Sequence, residues 1–378
     1  MKPSQIVQRA SVDVAVETDP IGALLNKFPQ LDYELIIYMV TPKLDLDQFT
    51  REVAEHRQAS HIMATRTAGE ISETGYSEGM VVALGFPKSH FGASICVSKN
   101  LDDLDKDKVA GNILRKRQDV GSRHADWKSE FAFLLVDGLS LQEDALVSMI
   151  APALGSTQLF GGSSGDGLSF ENAPVHYNGS TFQNGAVLAI VRTNCEVVIM
   201  CEDHLSASEK RLVVTGAVPQ ERLVTEINAE PAAREYARIV GIDPDQLSPF
   251  IFASHPIVVS IGDQHHVRSI QQVVDNRYLR FFSSIDEGMV LTVANIGNIS
   301  DHLSAVMDRI NAKGRPDLIF ACDCILRKLE AEQSQEIHKM SKVLSDNHVM
   351  GFSTYGEQHN FLHVNQTLTG IAIYPPKS

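Results

Sequence analysis

Cysteine is scarce: Cys96, Cys195, Cys201, Cys322 and Cys324 are the only five in 378 residues. An odd, sparse set in a long chain excludes the disulfide framework of small secreted domains. Basic charge is also in deficit. Against 47 Asp and Glu stand 33 Lys and Arg, a net charge of −14. Binding to nucleic-acid backbones or anionic membrane surfaces needs a cationic face, so this balance argues against both. No apolar h-region follows Met1-Lys2-Pro3-Ser4-Gln5, so no signal peptide is read. The longest uncharged run, Leu146 to Gly165, is interrupted by Pro152 and by glycines and hydroxyl residues. These suit a helix end and a glycine-rich turn rather than a membrane span. The expectation is a cytoplasmic protein that engages neither nucleic acid nor membrane.

What is present is a chain long enough for two or three domains at ~150 residues each. Apolar runs of strand length recur at Leu35–Val40, Met80–Phe86, Ala93–Val97, Phe131–Val136, Ala186–Arg192 and Val197–Cys201. Between them, Asp47–Gln58 carries Phe49, Val53 and Ala54 on one side, and Gln142–Leu154 carries Ala145, Leu146, Met149 and Ile150. Both spacings are helical. The alternation predicts an α/β protein with mixed sheets.

A break falls near residue 226, giving expected domains 1–226 and 227–378. Arg211–Val218 and Glu221–Ile227 read as strands. Asn228 is placed to cap a helix with Pro231 in its first turn and Gly241 past its end. Four apolar runs follow, Pro249–Ile261, His266–Val274, Tyr278–Ile285 and Met289–Ala294, and predict an antiparallel meander. Ile299–Ile310 and Ala331–Leu344 read as helices, and Asp317–Cys322, His348–Phe352 and Leu368–Tyr374 as strands. One echo links the halves: residues 61–70 and 348–357 share His, Met, Thr, Gly and Glu at matching places. A duplicated α/β half with a ligand cleft between the copies would leave this trace.

The densest chemical signal is Gly161-Gly162-Ser163-Ser164-Gly165-Asp166-Gly167, which spells a nucleophile elbow around Ser163. The elbow needs a helix behind it, and Leu168-Ser169-Phe170-Glu171-Asn172-Ala173-Pro174 is a poor helix start. The loop is neither a phosphate-binding P-loop nor a dinucleotide fingerprint, and a tight turn is the plain reading. Cys322-Asp323-Cys324 closes a strand and reads as a buried Cys322 with Cys324 in a turn, not as a metal pair. His359 and His363 have the spacing of a helical metal pair, but Asn360 and Gly356 argue for a loop. His255 lies in the most apolar stretch of the second half, Phe250 to Val259. It is readable as a satisfied core histidine, a packing residue or a ligand to a metal or haem. With no Cys-x-x-Cys-His, any haem would be held noncovalently.

Several stretches together resemble the FIST sensory family. Leu159 to Asp166, His176-Tyr177-Asn178-Gly179, Asn184 to Ala189 and Thr67 to Ile71 are similar to its N-terminal part. Glu230 to Tyr236, Gly351 to Glu357 and Asn365 to Gly370 are similar to its C-terminal part. The resemblance implies a two-domain, non-enzymatic ligand sensor. A narrower likeness, to the stand-alone NosP-type members, rests on Ala253 to Val259, Val267 to Gln271, Phe281 to Gly288 and Cys322 to Glu330. It implies a haem-binding sensor of nitric oxide acting in trans on a histidine kinase of a bacterial two-component system. His255 is then the axial ligand, with His204, His265, His266, His348 and His359 in reserve. A homo-oligomer is compatible with this reading. The alternatives are a sensor of an amino acid or of haem itself and, from another class, a serine hydrolase built on Ser163.

Overall fold

The computed structural model describes residues 5–56, 59–261 and 264–376. Met1–Ser4, and Arg57 and Gln58 at the end of the expected helix from Asp47, lie outside the described residues. The periods read from the sequence become three copies of one unit and an inserted sheet.

The first unit contains β1 (Gln8–Asp13), α1 (Pro20–Lys27), β2 (Tyr33–Val40), α2 (Leu46–His56) and β3 (Ala59–Arg66). A hairpin, β4 (Glu70–Ser72) and β5 (Gly75–Ser77), precedes β6 (Met80–Pro87) and β7 (Phe91–Ser98). The second contains α3 (Lys106–Arg123), β8 (Ser129–Val136), α4 (Glu143–Leu154) and β9 (Gln158–Ser163). Its hairpin is β10 (Val175–Tyr177) and β11 (Ser180–Phe182), followed by β12 (Ala186–Thr193) and β13 (Glu196–Glu202). The inserted module opens with β14 (Leu205–Val218), β15 (Leu223–Ile227), β16 (Glu230–Pro231), α5 (Ala232–Val240) and α6 (Pro249–Ser254). It closes with β17 (Ile257–Ile261), β18 (Gln264–Val267), β19 (Ile270–Val274), β20 (Tyr278–Phe281) and β21 (Val290–Ile296). The third unit has α7 (Ile299–Asn311), β22 (Leu318–Cys324), α8 (Ile325–Gln333), α9 (Ile337–Asp346) and β23 (Val349–Thr354). Its hairpin is β24 (Glu357–His359) and β25 (Leu362–Val364), and β26 (Leu368–Tyr374) ends the fold.

In each unit a helical crossover joins two parallel strands: β2 and β3, β8 and β9, β22 and β23. A later strand returns antiparallel beside the first: β6, β12 and β26. Each unit then gives its hairpin to a neighbour. β4 pairs with β23, β10 with β3 and β24 with β9. Edge strands also cross over: β7 joins the second sheet, β13 the third, and β1 fills the matching edge of the first. The three sheets are thereby stitched into a ring. Their inner faces share one apolar core, in which Phe133 lies 5.0 Å from Phe160 and 4.8 Å from Phe320 between ring centres. Helices cover the outer faces, so the central strands are buried on both sides and read as unbroken apolar runs.

The repetition is therefore threefold, and the echo of 61–70 in 348–357 joins two of its members. Backbone bonds identify the third. Ala68 N–H donates to Ser353 O at 3.0 Å, Gly165 N–H to Arg66 O at 3.2 Å, and Tyr355 N–H to Ser163 O at 3.4 Å. Ser164-Gly165-Asp166-Gly167 thus occupies the place of Thr67 to Glu70 and of Thr354 to Glu357.

The fourth sheet is antiparallel in the order β18-β17-β21-β14-β15-β20-β19, with β16 beside β15. Residue 226 falls inside β15. Three local expectations are corrected. Pro249–Ile261 is not one strand: Pro249 starts α6, and Pro256 drives His255 out of helical geometry at φ −136°. The cap of α5 is Pro231, while Asn228 adopts φ +52° in the turn before it and its Oδ1 accepts from Val213 N–H. Ala331–Leu344 is split between α8 and α9, where Gln335 takes φ +60° and Ser334 Oγ donates back to Glu330 O. Among the described residues no helix is long and apolar enough to cross a membrane.

Candidate functional site

A cleft of about 450 Å³ opens where all parts of the ring meet. The first unit contributes Lys43, the turn Thr67-Ala68-Gly69-Glu70, and Glu78. The second contributes Gly167 and Leu168, α6 contributes Phe250, and α8 presents Ile325, Lys328, Leu329 and Glu332. On α8 the 325, 328, 329, 332 spacing is that of one helical face. The volume is that of a small-molecule site with an apolar wall and few polar groups.

Lys328 is its central charge. The side chain is 6% exposed, and Nζ lies 2.5 Å from Glu78 Oε1 and 3.8 Å from Glu332 Oε1. Glu78 is 73% exposed, so the partner of a buried cation sits in water. Gly69 makes room for the ammonium: at φ +140° a Cβ there would come within 3.1 Å of Lys328 Nζ. Glu70 is buried, its carboxylate bonded by Thr67 Oγ1 and by Met80 N–H at 3.0 Å. Burial pushes its pKa up to about 7, against the pull of those hydrogen bonds and of Lys328.

The opposite face of α8 carries a second charged system. Arg327 Nε donates to Asp323 Oδ1 at 2.8 Å, and Arg327 Nη1 meets His204 Nδ1 at 2.9 Å. His204 Nε2 in turn meets Glu330 Oε1 at 2.6 Å, and Tyr76 hydroxyl donates to Asp323. This chain ties the β4–β5 hairpin, α8 and the start of the inserted module into one buried network.

The residues singled out from sequence are not brought together in the cleft. Ser163 is fully buried and its Oγ accepts from Gln358 Nε2 at 2.9 Å. A loop to β10, not a helix, follows it, and among the described residues no acidic or basic side chain is hydrogen-bonded to its Oγ, as an activated nucleophile requires. His204 is in the α8 network. His265 Nε2 meets Asp203 at 3.2 Å beside half-buried His266, His348 sits by Arg315, and His359 lies on the β24–β25 hairpin. Cys324 is buried with Cys322, not in an open turn. Among the described residues no cluster of three or more His, Cys, Asp or Glu could hold a metal ion.

His255 is half-buried at the end of α6, with Nδ1 3.2 Å from Ile251 O. Ser254 Oγ lies at the same distance from Nδ1, and Nε2 has no hydrogen-bond partner among the described residues, as the ligating nitrogen of a metal-bound histidine would not. The cavity beside it is small and has charged groups at its edge. None of the cavities described has His255 in its wall. The one reaching Ser254 is about 400 Å³, with Ile296 and Ile299 in its wall and Glu330, Gln333, Ser334 and Glu336 at its edge.

Lys328 and Phe250 were not singled out from the sequence, although both lie in or next to stretches that carry the family resemblance. The shared Thr-x-Gly-Glu turn was the available signal for the other wall. Fold and site define a multi-unit α/β protein built around a cleft for a small ligand. The FIST N domain model matches residues 34–230 and the FIST C domain model residues 232–360. The chain belongs to the FIST family, whose domains sense small ligands in signalling proteins. The two matches meet at residue 231, and the cleft draws walls from both. No curated protein matches the chain.

Proposed function

We infer that the chain is a ligand-operated signalling module that binds a small carboxylate-bearing zwitterion, such as an amino acid, in the cleft. One observation carries this: a buried ammonium, Lys328, whose main counter-ion is the exposed Glu78. A ligand carboxylate can replace Glu78 without leaving either charge buried and unpaired. The ligand's own ammonium would face Glu70, and Ile325, Leu329 and Phe250 would cover its side chain. Because FIST N and FIST C residues share the walls, closure on a ligand changes their fit. A partner protein reads that change, and a histidine kinase acting in trans is the partner we propose.

Thermal shift with free amino acids and small dicarboxylates tests this. A true ligand at a hundred times its Kd stabilises by about 2.7 kcal/mol. Lys328→Met should weaken that ligand at least ~10-fold, or ~1.4 kcal/mol. No stabilisation by any member, or undiminished binding by Lys328→Met, overturns the reading.

A second reading, a haem-borne nitric-oxide sensor with His255 as axial ligand, is favoured by the free Nε2 of His255 alone. No described cavity encloses a haem there, so no step is routed through it. Titration with haem followed by the Soret band decides: a saturable band lost in His255→Ala would establish this reading, and its absence would remove it.

A further inference from the structure

The three units invite comparison of their outer layers, where helices cover each sheet. Strand register aligns them. Val40 pairs with Arg66 and Val136 with Ser163, so Tyr38 and Leu134, two residues earlier, occupy the same place. In the first layer Tyr38 packs edge-on against Phe49 at 5.3 Å, with Phe28 and Tyr33 also buried. In the third the equivalent residue is Ala321, and Met200, Met307, Met340 and Tyr374 belong to the buried set of its layer. The buried set of the second layer contains no aromatic and no methionine, only Cys96, alanines and branched aliphatics.

A cavity of about 510 Å³ occupies that layer beneath α3. Leu134, Leu146, Ile150, Leu188 and Cys96 form its floor and walls. Close packing is the rule in protein interiors, and this pocket, half open to solvent, departs from it over its apolar floor. A void this size falls in the range of sites that hold small ligands.

The mouth lies between the end of β7 and the start of α3. Its carboxylates are engaged locally: Asp105 pairs with Lys108 at 3.1 Å and Asp103 accepts from Asn100 Nδ2. Lys99, exposed at the same mouth, has no ion-pair partner among the described residues. We propose that this cavity is a second binding site, separate from the cleft, for an amphipathic molecule with an apolar tail and an anionic head. The tail lies on Leu134 and Leu188 where the first unit has Tyr38, and the head stays at the mouth beside Lys99.

Decanoate is the probe, with decanol as its uncharged counterpart, measured by calorimetry on the full chain. Decanoate should bind saturably at one site and more tightly than decanol. Leu134→Phe, which grafts the bulk of the first layer, should weaken both roughly tenfold or more while leaving any cleft ligand unaffected. Lys99→Ala should weaken decanoate a few-fold and leave decanol unchanged. If Leu134→Phe does not fold, Cys96→Leu serves as the filling variant. No saturable binding up to the solubility limit, or undiminished binding by a folded filling variant, overturns the site. Equal affinity for decanoate and decanol overturns the anionic head.

Discussion

Arg327 and Lys328 are neighbours on α8 that face two different worlds. Arg327 is 1% exposed, and its partners Asp323 and His204 are buried with it. Lys328 is nearly as buried, yet its closest partner is mostly in water. The first cation has no exchangeable partner and ties elements together. The second can trade Glu78 for something else. What separates a structural charge from a ligand-binding one on this helix is the accessibility of the counter-ion, not the burial of the charge.

The sharpest way to break this comparison is to remove each cation. Arg327→Met leaves the buried Asp323 without its counter-ion and with only the Tyr76 hydroxyl donating to it, which should cost about 3–5 kcal/mol. Lys328→Met should cost no more than about 1 kcal/mol, since its lost partner is solvated. Urea unfolding of both variants measures the difference, and equal losses would sink the distinction.

Ser163→Ala comes next. It removes the shortest hydrogen bond of Gln358 Nε2 and leaves it the longer contacts to Gly356 O at 3.5 Å and His363 Nδ1 at 3.4 Å, a loss of about 1 kcal/mol. The variant should keep cleft binding, and wild type should resist a fluorophosphonate probe. Labelling at Ser163 would reopen the hydrolase.

Gly69→Ala should cost about 1 kcal/mol or more from its φ alone. By crowding Lys328 it should also weaken the cleft ligand more than it weakens the fold. Ligand affinity unchanged in a folded Gly69→Ala would place the ligand elsewhere.

The smallest effect sharpens the comparison between the two Thr-x-Gly-Glu turns. Glu357 is fully buried, bonded by Thr354 and Thr367, and burial pushes its pKa up to about 8, against about 7 for Glu70. Both groups stay protonated in the fold after they ionise in the unfolded chain. Their stabilisation is therefore complete below the ordinary value of 4.5 and fades as pH rises through about 7 for Glu70 and about 8 for Glu357. Thermal melts from pH 4 to 9 should fall over that window. Glu357→Gln should flatten the slope more than Glu70→Gln, and the reverse order would contradict the assignment of burial.

Much of the fold was legible. Strands such as Phe131–Val136 and helices such as Gln142–Leu154 are found within a residue or two of where their periods put them, because apolar periodicity is a local consequence of burial. The turn at 67–70 and its echo at 354–357 were visible as words. The third member was not, since Ser164-Gly165-Asp166-Gly167 keeps the backbone place but not the spelling. Helix α6 was read as strand because a six-residue apolar segment has no period to betray it.

By itself, the sequence determined the α/β class, the family, the acidic net charge and the sparse, odd set of cysteines. Each of these depends on composition or on patterns a few residues long. Only the tertiary structure decided that hairpins are traded between three sheets, that Lys328 meets a turn some 260 positions away, and that one helical layer is left unfilled. Those outcomes depend on pairings between distant segments. No local pattern encodes which side chain will stand opposite another once the ring closes.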